Sequence, residues 1–533
     1  MGTDSGTLSA LRNGWSSFNR RFSMILQRRH ATIPVLAALL ALPGVGGALG
    51  AQQSGAVAPA RCPSKIPAPF ARLAQPNVTV RIMAEGEFPD ADAAAARAVA
   101  LLIRDALNER GPVALASLVH VDRSISPSLS AVADLRGLPA GSKLLTSIVQ
   151  RSRDSIAVTW RLRKVGDETS PVRAQRLVFS MQQLPRGAFA LAELAAQASG
   201  GSSVSLGTPP PPLPSVDAAN AFINGLAEAL SPTPVSLVRA RNLLVRASTL
   251  APTQADIWRW RGRVEQSLIE WNTSADPAAV RGLRASSIAA ASRAVQLAPR
   301  SIGAQVALAE ALLATGERVK AEAALVTAAQ LDVNNPGMLR VAALLNRIRG
   351  NDARSLEQLR TSVERAPREA PVLVELASLA RFSGDVALSC HALNAAVAAD
   401  PELASAYALR ALVRAGYGEL REAWADAEIA TRLGHPEWGE RAAAVLDARY
   451  GERTQAANRM RPLGGTSAMP LNYLDAVLLG QASVAMGQRG TVARVSSGLS
   501  CTSPLRGPLL RDLKSVGAAS SDACGQAPAA RAD

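Results

Sequence analysis

Cys390 and His391 are the neighbouring side chains in this sequence whose types could supply a nucleophile and its base. An imidazole can take the proton of a thiol, and the resulting thiolate attacks carbonyl carbons. The two residues are consecutive in a stretch of helical periodicity, however, and consecutive side chains on a helix point about 100° apart. They cannot face each other, and we interpret Cys390 as a buried structural thiol.

Other catalytic motifs are missing from the sequence. It contains no phosphate-binding G-x-x-x-x-G-K-[ST] loop, no G-x-G-x-x-G after a strand, no G-x-S-x-G elbow and no H-E-x-x-H. Three histidines follow the amino-terminal 50 residues, and no cysteines have C-x-x-C spacing, so we expect no metal site and no cofactor. A non-enzymatic protein is predicted. The alternative is an envelope hydrolase with an unrecognised active site in the α/β domain described below.

The charge balance is strongly basic, with 58 Lys and Arg against 43 Asp and Glu, a net charge of +15. Such an excess can serve nucleic acid, an anionic membrane or an acidic partner. The arginines are scattered singly through Ala-rich segments instead of running together, so we expect no nucleic-acid partner. A composition that is 48% hydrophobic but only 4% aromatic favours closely packed helices of Ala, Leu and Val.

An uncharged apolar segment near the amino terminus predicts export. Residues 31–51 carry no charge, follow Arg28 and Arg29, and end in small residues around Ala48 and Gly50. This order is typical of a cleaved signal peptide. A segment of this length can also span a bilayer as an uncleaved anchor. Residues 1–50 are therefore predicted to be a signal peptide or signal-anchor, and the chain is expected in the periplasm or cell envelope. Membrane contact is expected only if residues 31–51 remain as an inner-membrane anchor.

The four cysteines suit an oxidising compartment. They allow three pairings, and the sequence leaves the pairing of Cys62 and Cys390 open. Cys501 and Cys524 flank a short helical segment near the end of the chain, so we predict a disulfide between them. This bond would close a carboxyl-terminal cap and tail, residues 501–533.

Strand and helix patterns alternate after a lead, residues 51–76, that we expect to be flexible. The predicted order over residues 77–198 is β-α-β-α-β-β-β-α. The segments are strand 78–82, helix 91–107, strand 113–121, helix 126–135, strands 144–151, 155–163 and 172–180, and helix 189–197. This order resembles the small α/β domain at the amino terminus of TolB-like proteins, and the hairpin 148–165 is its best local match.

A linker is predicted at residues 199–215, which combine Gly and Ser with Pro209–Pro212 and Pro214. Consecutive prolines hold a chain extended as a polyproline helix. We therefore expect a semi-rigid spacer between the α/β domain and the rest of the chain.

The sequence beyond the linker repeats with a period of 34 residues, marked by Gly316, Gly350, Gly384 and Gly418. Each glycine stands between two apolar-periodic stretches, where it can turn the chain between helices with a positive φ. A helix–turn–helix unit of this length resembles the tetratricopeptide repeat (TPR). We predict about eight units over residues 216–500. The predicted fold class is α+β multidomain, a small α/β domain followed by an all-α TPR-like solenoid.

The TPR resemblance also implies a function and a site. Proteins of this family bind protein or peptide partners in a concave groove lined by the first helix of each repeat. The family's groove-facing positions fall on Arg259, Arg263, Arg340, Arg347, Arg381 and Phe382. Arginine forks bind carboxylates in a bidentate way, so a cationic groove and an acidic protein or peptide partner are expected. The alternative is that these arginines are simply solvated. The predicted function is a protein-interaction scaffold of the bacterial cell envelope.

Overall fold

The structure is a computed structural model. It describes residues 70, 77–84, 89–110, 119–122, 139, 141–166, 173–200, 205–230, 233–270, 277–433, 436–460, 473–487 and 505–515. All of them fall within Pro59–Asp533, which forms one compact unit. The predicted leader, the helix predicted at 126–135 and the proposed Cys501–Cys524 disulfide lie outside the described residues. No helix in the described ranges is both long and apolar enough to cross a membrane.

The amino-terminal layer is a five-stranded sheet. Its strands are β1 (Val78–Ala84), β2 (Val119–Asp122), β3 (Lys143–Arg151), β4 (Ser155–Lys164) and β5 (Arg173–Ser180). Their order is β2-β1-β3-β4-β5, with β1 parallel to both neighbours and β3, β4 and β5 antiparallel. The fold-class prediction of an α/β unit before the repeats is thereby confirmed, while the likeness to TolB-like domains stays a prediction.

Two helices pack beside each other against this sheet, α1 (Pro89–Arg110) and α2 (Leu184–Gly200). Pro89 opens α1, and a proline is tolerated there because the first turn of a helix has no partner for its amide. Helix α2 begins earlier than the predicted 189 for the same reason, since Pro185 lies in its first turn. Alanines of α1 such as Ala95, Ala96 and Ala98 are fully buried, which allows close approach to the sheet.

Antiparallel helix pairs make up the rest of the chain. The pairs are α3 (Val216–Leu230) with α4 (Pro234–Leu250), α5 (Ala255–Glu270) with α6 (Pro277–Leu297), α7 (Ile302–Ala314) with α8 (Arg318–Leu331), α9 (Pro336–Ile348) with α10 (Asp352–Arg365), α11 (Ala370–Phe382) with α12 (Val386–Ala399), α13 (Ala404–Gly416) with α14 (Leu420–Arg432), and α15 (Pro436–Tyr450) with α16 (Arg453–Met460). Two further helices follow, α17 (Tyr473–Ala485) and α18 (Arg506–Ser515). The first helices of neighbouring pairs lie side by side, so they form one continuous face, called here the concave face.

The glycines at the predicted repeat corners turn the chain in the same way each time. Gly316, Gly350, Gly384 and Gly418 have φ of +84°, +84°, +85° and +79°. The amide of the next residue donates to a carbonyl five residues back, as from Glu317 to Leu312 at 2.9 Å. This is the Schellman arrangement, which satisfies the last carbonyls of the first helix. The recurring corner is the reason that a glycine period predicts the solenoid.

The predicted linker is packed into the fold and does not act as a spacer. Leu206 and Leu213 are buried, and the Leu213 amide donates to the Gln182 carbonyl at 2.8 Å. Gln254 of α5 donates to the carbonyl of Pro212 at 2.9 Å. Residues of the sheet, α1, α2 and the first two helix pairs belong to one hydrophobic cluster. Residues 205–215 therefore do not form a free spacer, because Leu206 and Leu213 enter a core shared with the neighbouring helices.

Two expectations about the lead and Cys390 also need correction. Phe70, within the segment predicted to be flexible, is 1% exposed and packs in the cluster formed by helices α9 to α13. Its ring centroid lies 6.5 Å from that of His391. Cys390 is disulfide-bonded rather than a free thiol, and its partner lies outside the described residues. Phe70 is therefore packed into the repeats, while the rest of residues 51–76 lies outside the described ranges.

Candidate functional site

A cavity of about 280 Å³ lies where α1 of the α/β layer faces helices α5, α7 and α9 of the concave face. We call it the central cavity. Four arginines and four carboxylates line it: Arg104, Asp105, Glu109, Arg259, Arg263, Glu310, Arg340 and Glu369. The predicted groove residues Arg259, Arg263 and Arg340 are thus brought together at one place.

Helix α1 is fixed against the repeats through Asp105. The Arg259 guanidinium donates to Asp105 at 2.7 Å, and the indole N–H of Trp260 donates to the same oxygen at 3.1 Å. Burial opposes ionisation of Asp105, but Arg259, Arg104 and Arg263 outweigh it and hold the pKa of that carboxyl well below its ordinary value. Burial also opposes the charge of Arg259, yet Asp105 and Asp256 keep its pKa above the ordinary value.

A second ion-pair network crosses from α7 to α11. Arg340 of α9 pairs with Glu310 and also donates to Glu375 at 3.1 Å. The Glu310 side chain is only 11% exposed. Its carboxylate is therefore already committed to Arg340 and has little capacity left for another cation.

Arg263 is the arginine of the central cavity with the weakest pairing. Its Nε lies 3.7 Å from Glu310, and it makes no hydrogen bond within the described residues. Its guanidinium carbon lies 5.0 Å from the centre of the Trp260 ring. Burial lowers the pKa of Arg263 to about 9, and Arg104 and Arg340 add to this effect against the pull of Asp105. An anion placed beside this guanidinium would be stabilised, because a planar fork of donors fits a carboxylate.

The other predicted groove residues lie further along the concave face, beside α17 and α18. Arg347 pairs with Asp512, hydrogen-bonds the Tyr473 hydroxyl and lies 5.0 Å from that ring's centre. Arg381 donates to Gln481 at 3.0 Å and lies 5.7 Å from the ring of its neighbour Phe382. Burial and the nearby Arg449 lower the pKa of Arg381 to about 10.

The expectation of a cationic groove is wrong for the central cavity, where four carboxylates balance the four arginines. Two of the carboxylates, Asp105 and Glu109, come from α1. They stand four residues apart and so share one helix face, as Arg259 and Arg263 do. This matching spacing is the signal in the sequence from which the packing of α1 against α5 could be predicted.

No group of three or more His, Cys, Asp or Glu side chains in the described part of the chain could hold a metal ion. The thiol of Cys390 is consumed by its disulfide. Burial lowers the pKa of the adjacent His391, whose ring lies near Phe70. Cys390 therefore has no thiol that His391 could activate as a nucleophile.

No protein-family model matches the sequence, and no curated protein matches it. The chain is similar to several solved TPR-repeat proteins. A human IFIT1 dimer solved with PPP-AAAA is 13% identical with a TM-score of 0.37, over 52% of this chain and 70% of that one. Yeast Tom70 is 14% identical with a TM-score of 0.34, over 56% of this chain and 64% of that one. MamA is 14% identical with a TM-score of 0.24, over 33% of this chain and 93% of that one.

TM-scores this low do not indicate which ligands or partners this chain binds. The assignment of the repeats comes from the chain's own geometry: antiparallel helix pairs, a 34-residue period and a positive-φ glycine at each of four corners. The chain is a TPR-like helical repeat solenoid that follows an α/β sheet layer.

Proposed function

We propose that this chain is a non-enzymatic protein-interaction scaffold of the cell envelope, and that its central cavity receives a carboxylate-bearing segment of a protein partner. The observation that carries the proposal is Arg263, a guanidinium that lines the cavity, is 35% exposed, and has one long ion pair and no hydrogen bond in the described residues. A partner's carboxylate at this place would supply the charged acceptor that the fork of donors lacks.

The size and walls of the cavity favour a short segment over a small ion. A volume of about 280 Å³ accommodates a few residues of an extended chain. Val306, Ala307 and Val372 supply apolar wall beside the charged groups. A peptide segment combines these two requirements, because it offers apolar side chains and a carboxylate together.

The concave face already holds carboxylate-bearing helices of the same chain, which supports this kind of ligand. Asp105 of α1 pairs with Arg259, and Asp512 of α18 pairs with Arg347. Nothing in the described residues favours the alternative of an envelope hydrolase with an active site in the α/β layer, so that alternative rests on the sequence alone.

The envelope location rests on the leader sequence, and the disulfide at Cys390 supports it because disulfides persist in oxidising compartments. Amino-terminal sequencing of the native protein tests it. We expect a start near Ala51 in a soluble envelope fraction. A start at Met1 or Met24 in a membrane fraction would indicate the anchored alternative, and a cytoplasmic protein would refute export.

Photo-crosslinking in intact cells tests where the partner binds. A photoreactive residue in place of Ser267, which lines the central cavity, should give a discrete adduct with a protein partner. The same residue in place of Glu357, exposed on the second helix α10, should give none. Adducts from Glu357 with none from Ser267 would place the partner on the opposite face and overturn the proposal.

A further inference from the structure

Helix α18 crosses the concave face, although a terminal cap would need to cover only the last repeat. It contacts α17 and also α9, which lies far earlier in the array. Asp512 and Arg347, the ion pair between α18 and α9, are 165 residues apart in the sequence. The helix therefore occupies the concave face as a ligand would.

The polar contacts of α18 are to α9 and to the start of α10. Asp512 pairs with Arg347, whose guanidinium also binds the Tyr473 hydroxyl. Arg511 makes two hydrogen bonds to Asp352, from Nε and Nη2, each of 3.0 Å. These pairs fix the direction and register of the helix on the face.

The apolar contact between α18 and α17 depends on Gly480, a residue that has no side chain. Leu509 and Leu513 are at most 1% exposed. A Cβ atom on Gly480 of α17 would collide with the Leu513 side chain, so glycine leaves the room that the leucine fills. Leu509, Asp512 and Leu513 stand at i, i+3 and i+4 and thus form one helix face. We call their binding surface, formed by Arg347, Asp352, Tyr473 and Gly480, the α18 seat.

The helix itself has little intrinsic stability. It has 10 residues and contains Gly507 and Pro508 in its first turn, whereas isolated helices shorter than about 12–15 residues are marginal in water. Burial, together with Asp352, raises the pKa of Asp512 to about 7 against the pull of Arg347 and Arg381. The ionised carboxylate is thus held in the seat at a cost. A helix this short depends on its contacts with the concave face for its order.

We propose that α18 is an intramolecular ligand, and that the α18 seat is a second docking site which binds a partner's amphipathic helix with a Leu-x-x-Asp-Leu face once α18 leaves. The seat uses residues other than those of the central cavity, so this proposal does not depend on Arg263. A partner helix of the same pattern would compete with α18 directly.

The test uses the full-length chain and a labelled peptide with the sequence of residues 505–515. In the Asp512→Arg variant the introduced charge faces Arg347, so α18 should leave its seat. Fluorescence anisotropy should then show peptide binding at least tenfold tighter than to the wild-type chain, where α18 competes. Adding Gly480→Leu, which fills the place of Leu513, should abolish that binding. Equal binding to all three proteins, or binding to none, would overturn the proposal.

Hydrogen exchange of the wild-type chain gives a second readout that needs no variant. Amides of residues 506–515 should exchange at least 100-fold faster than those in the middle of α9, because α18 opens while the solenoid stays folded. Equal protection of the two helices would show that α18 is a fixed part of the array. A wild-type chain that dimerises by exchanging α18 would also contradict the intramolecular arrangement.

Discussion

Replacing Asp105 by Asn should lower the free energy of unfolding by about 3 kcal/mol, as expected when one partner of a buried ion pair is removed. The side chains of Arg259 and Asp105 are 6% and 11% exposed, so water cannot replace the lost carboxylate. Arg104 and Arg263 also lie close enough to Asp105 to lower its pKa, and they would be left near Arg259 without the shared counter-charge. Urea unfolding at neutral pH measures the change.

A matched control is Glu322→Gln. Its ion pair with Arg349 is exposed, at 47% and 36% of the two side chains. Exposed pairs contribute about 1 kcal/mol or less, so this variant should unfold almost as the wild type does. An Asp105 variant as stable as the Glu322 variant would show that α1 is not held in place by this contact.

The acid dependence of stability provides an independent check on Asp105. Its pKa in the folded protein lies below the ordinary value of 3.8. The pair therefore contributes its full stabilisation above pH 3.8, and this stabilisation is lost progressively as the pH falls from 3.8 through the lowered pKa of the folded protein. The Asp105→Asn variant should lose less stability than the wild type between pH 5 and pH 3, since it has no carboxylate to protonate.

The repeats and the hairpin of this chain could be predicted from the sequence, because the residues that form each of them are close together in the sequence. The 34-residue spacing of Gly316, Gly350, Gly384 and Gly418 reports a turn that each repeat makes with its own residues. The alternation in β3 and β4 likewise reports a hairpin whose strands are close in the sequence. Such patterns show which face of a helix or strand is buried. They do not show which distant part of the chain packs against that face.

The residues of the central cavity come together through contacts between parts of the chain that are far apart in the sequence. Asp105 and Arg259 are 154 residues apart, and nothing in the period of the repeats places α1 on the concave face. The proline-rich segment shows the same limit, since four prolines predict an extended chain but not that Leu213 beside them is buried. The repeat positions therefore placed Arg259, Arg263 and Arg340 on one face, but they did not place Asp105 and Glu109 of α1 opposite them.

Replacing Arg263 by Gln should separate binding from stability. The change removes the underpaired cation of the central cavity, whose ion pair with Glu310 is long and partly exposed, so the free energy of unfolding should fall by about 1 kcal/mol or less. A hydrogen bond to a charged group contributes about 1.5–3 kcal/mol, so the affinity for the partner should fall about 10- to 100-fold. Arg340 and Arg347 are poorer choices for this test, because they form ion pairs with Glu310 and Asp512 that stabilise the fold.

The most direct measurement of the central claim is the affinity of the partner crosslinked from Ser267 for the wild-type, Arg263→Gln and Arg360→Gln chains at increasing salt. Arg360 is the control because it pairs with Asp385 away from the cavity and is 40% exposed. The wild-type and Arg360→Gln chains should bind equally and weaken alike as salt screens the charges, and Arg263→Gln should bind at least tenfold less tightly with a smaller salt dependence. Wild-type affinity in the Arg263→Gln chain, with loss in the Arg360→Gln chain, would contradict the assignment of the central cavity as the partner site.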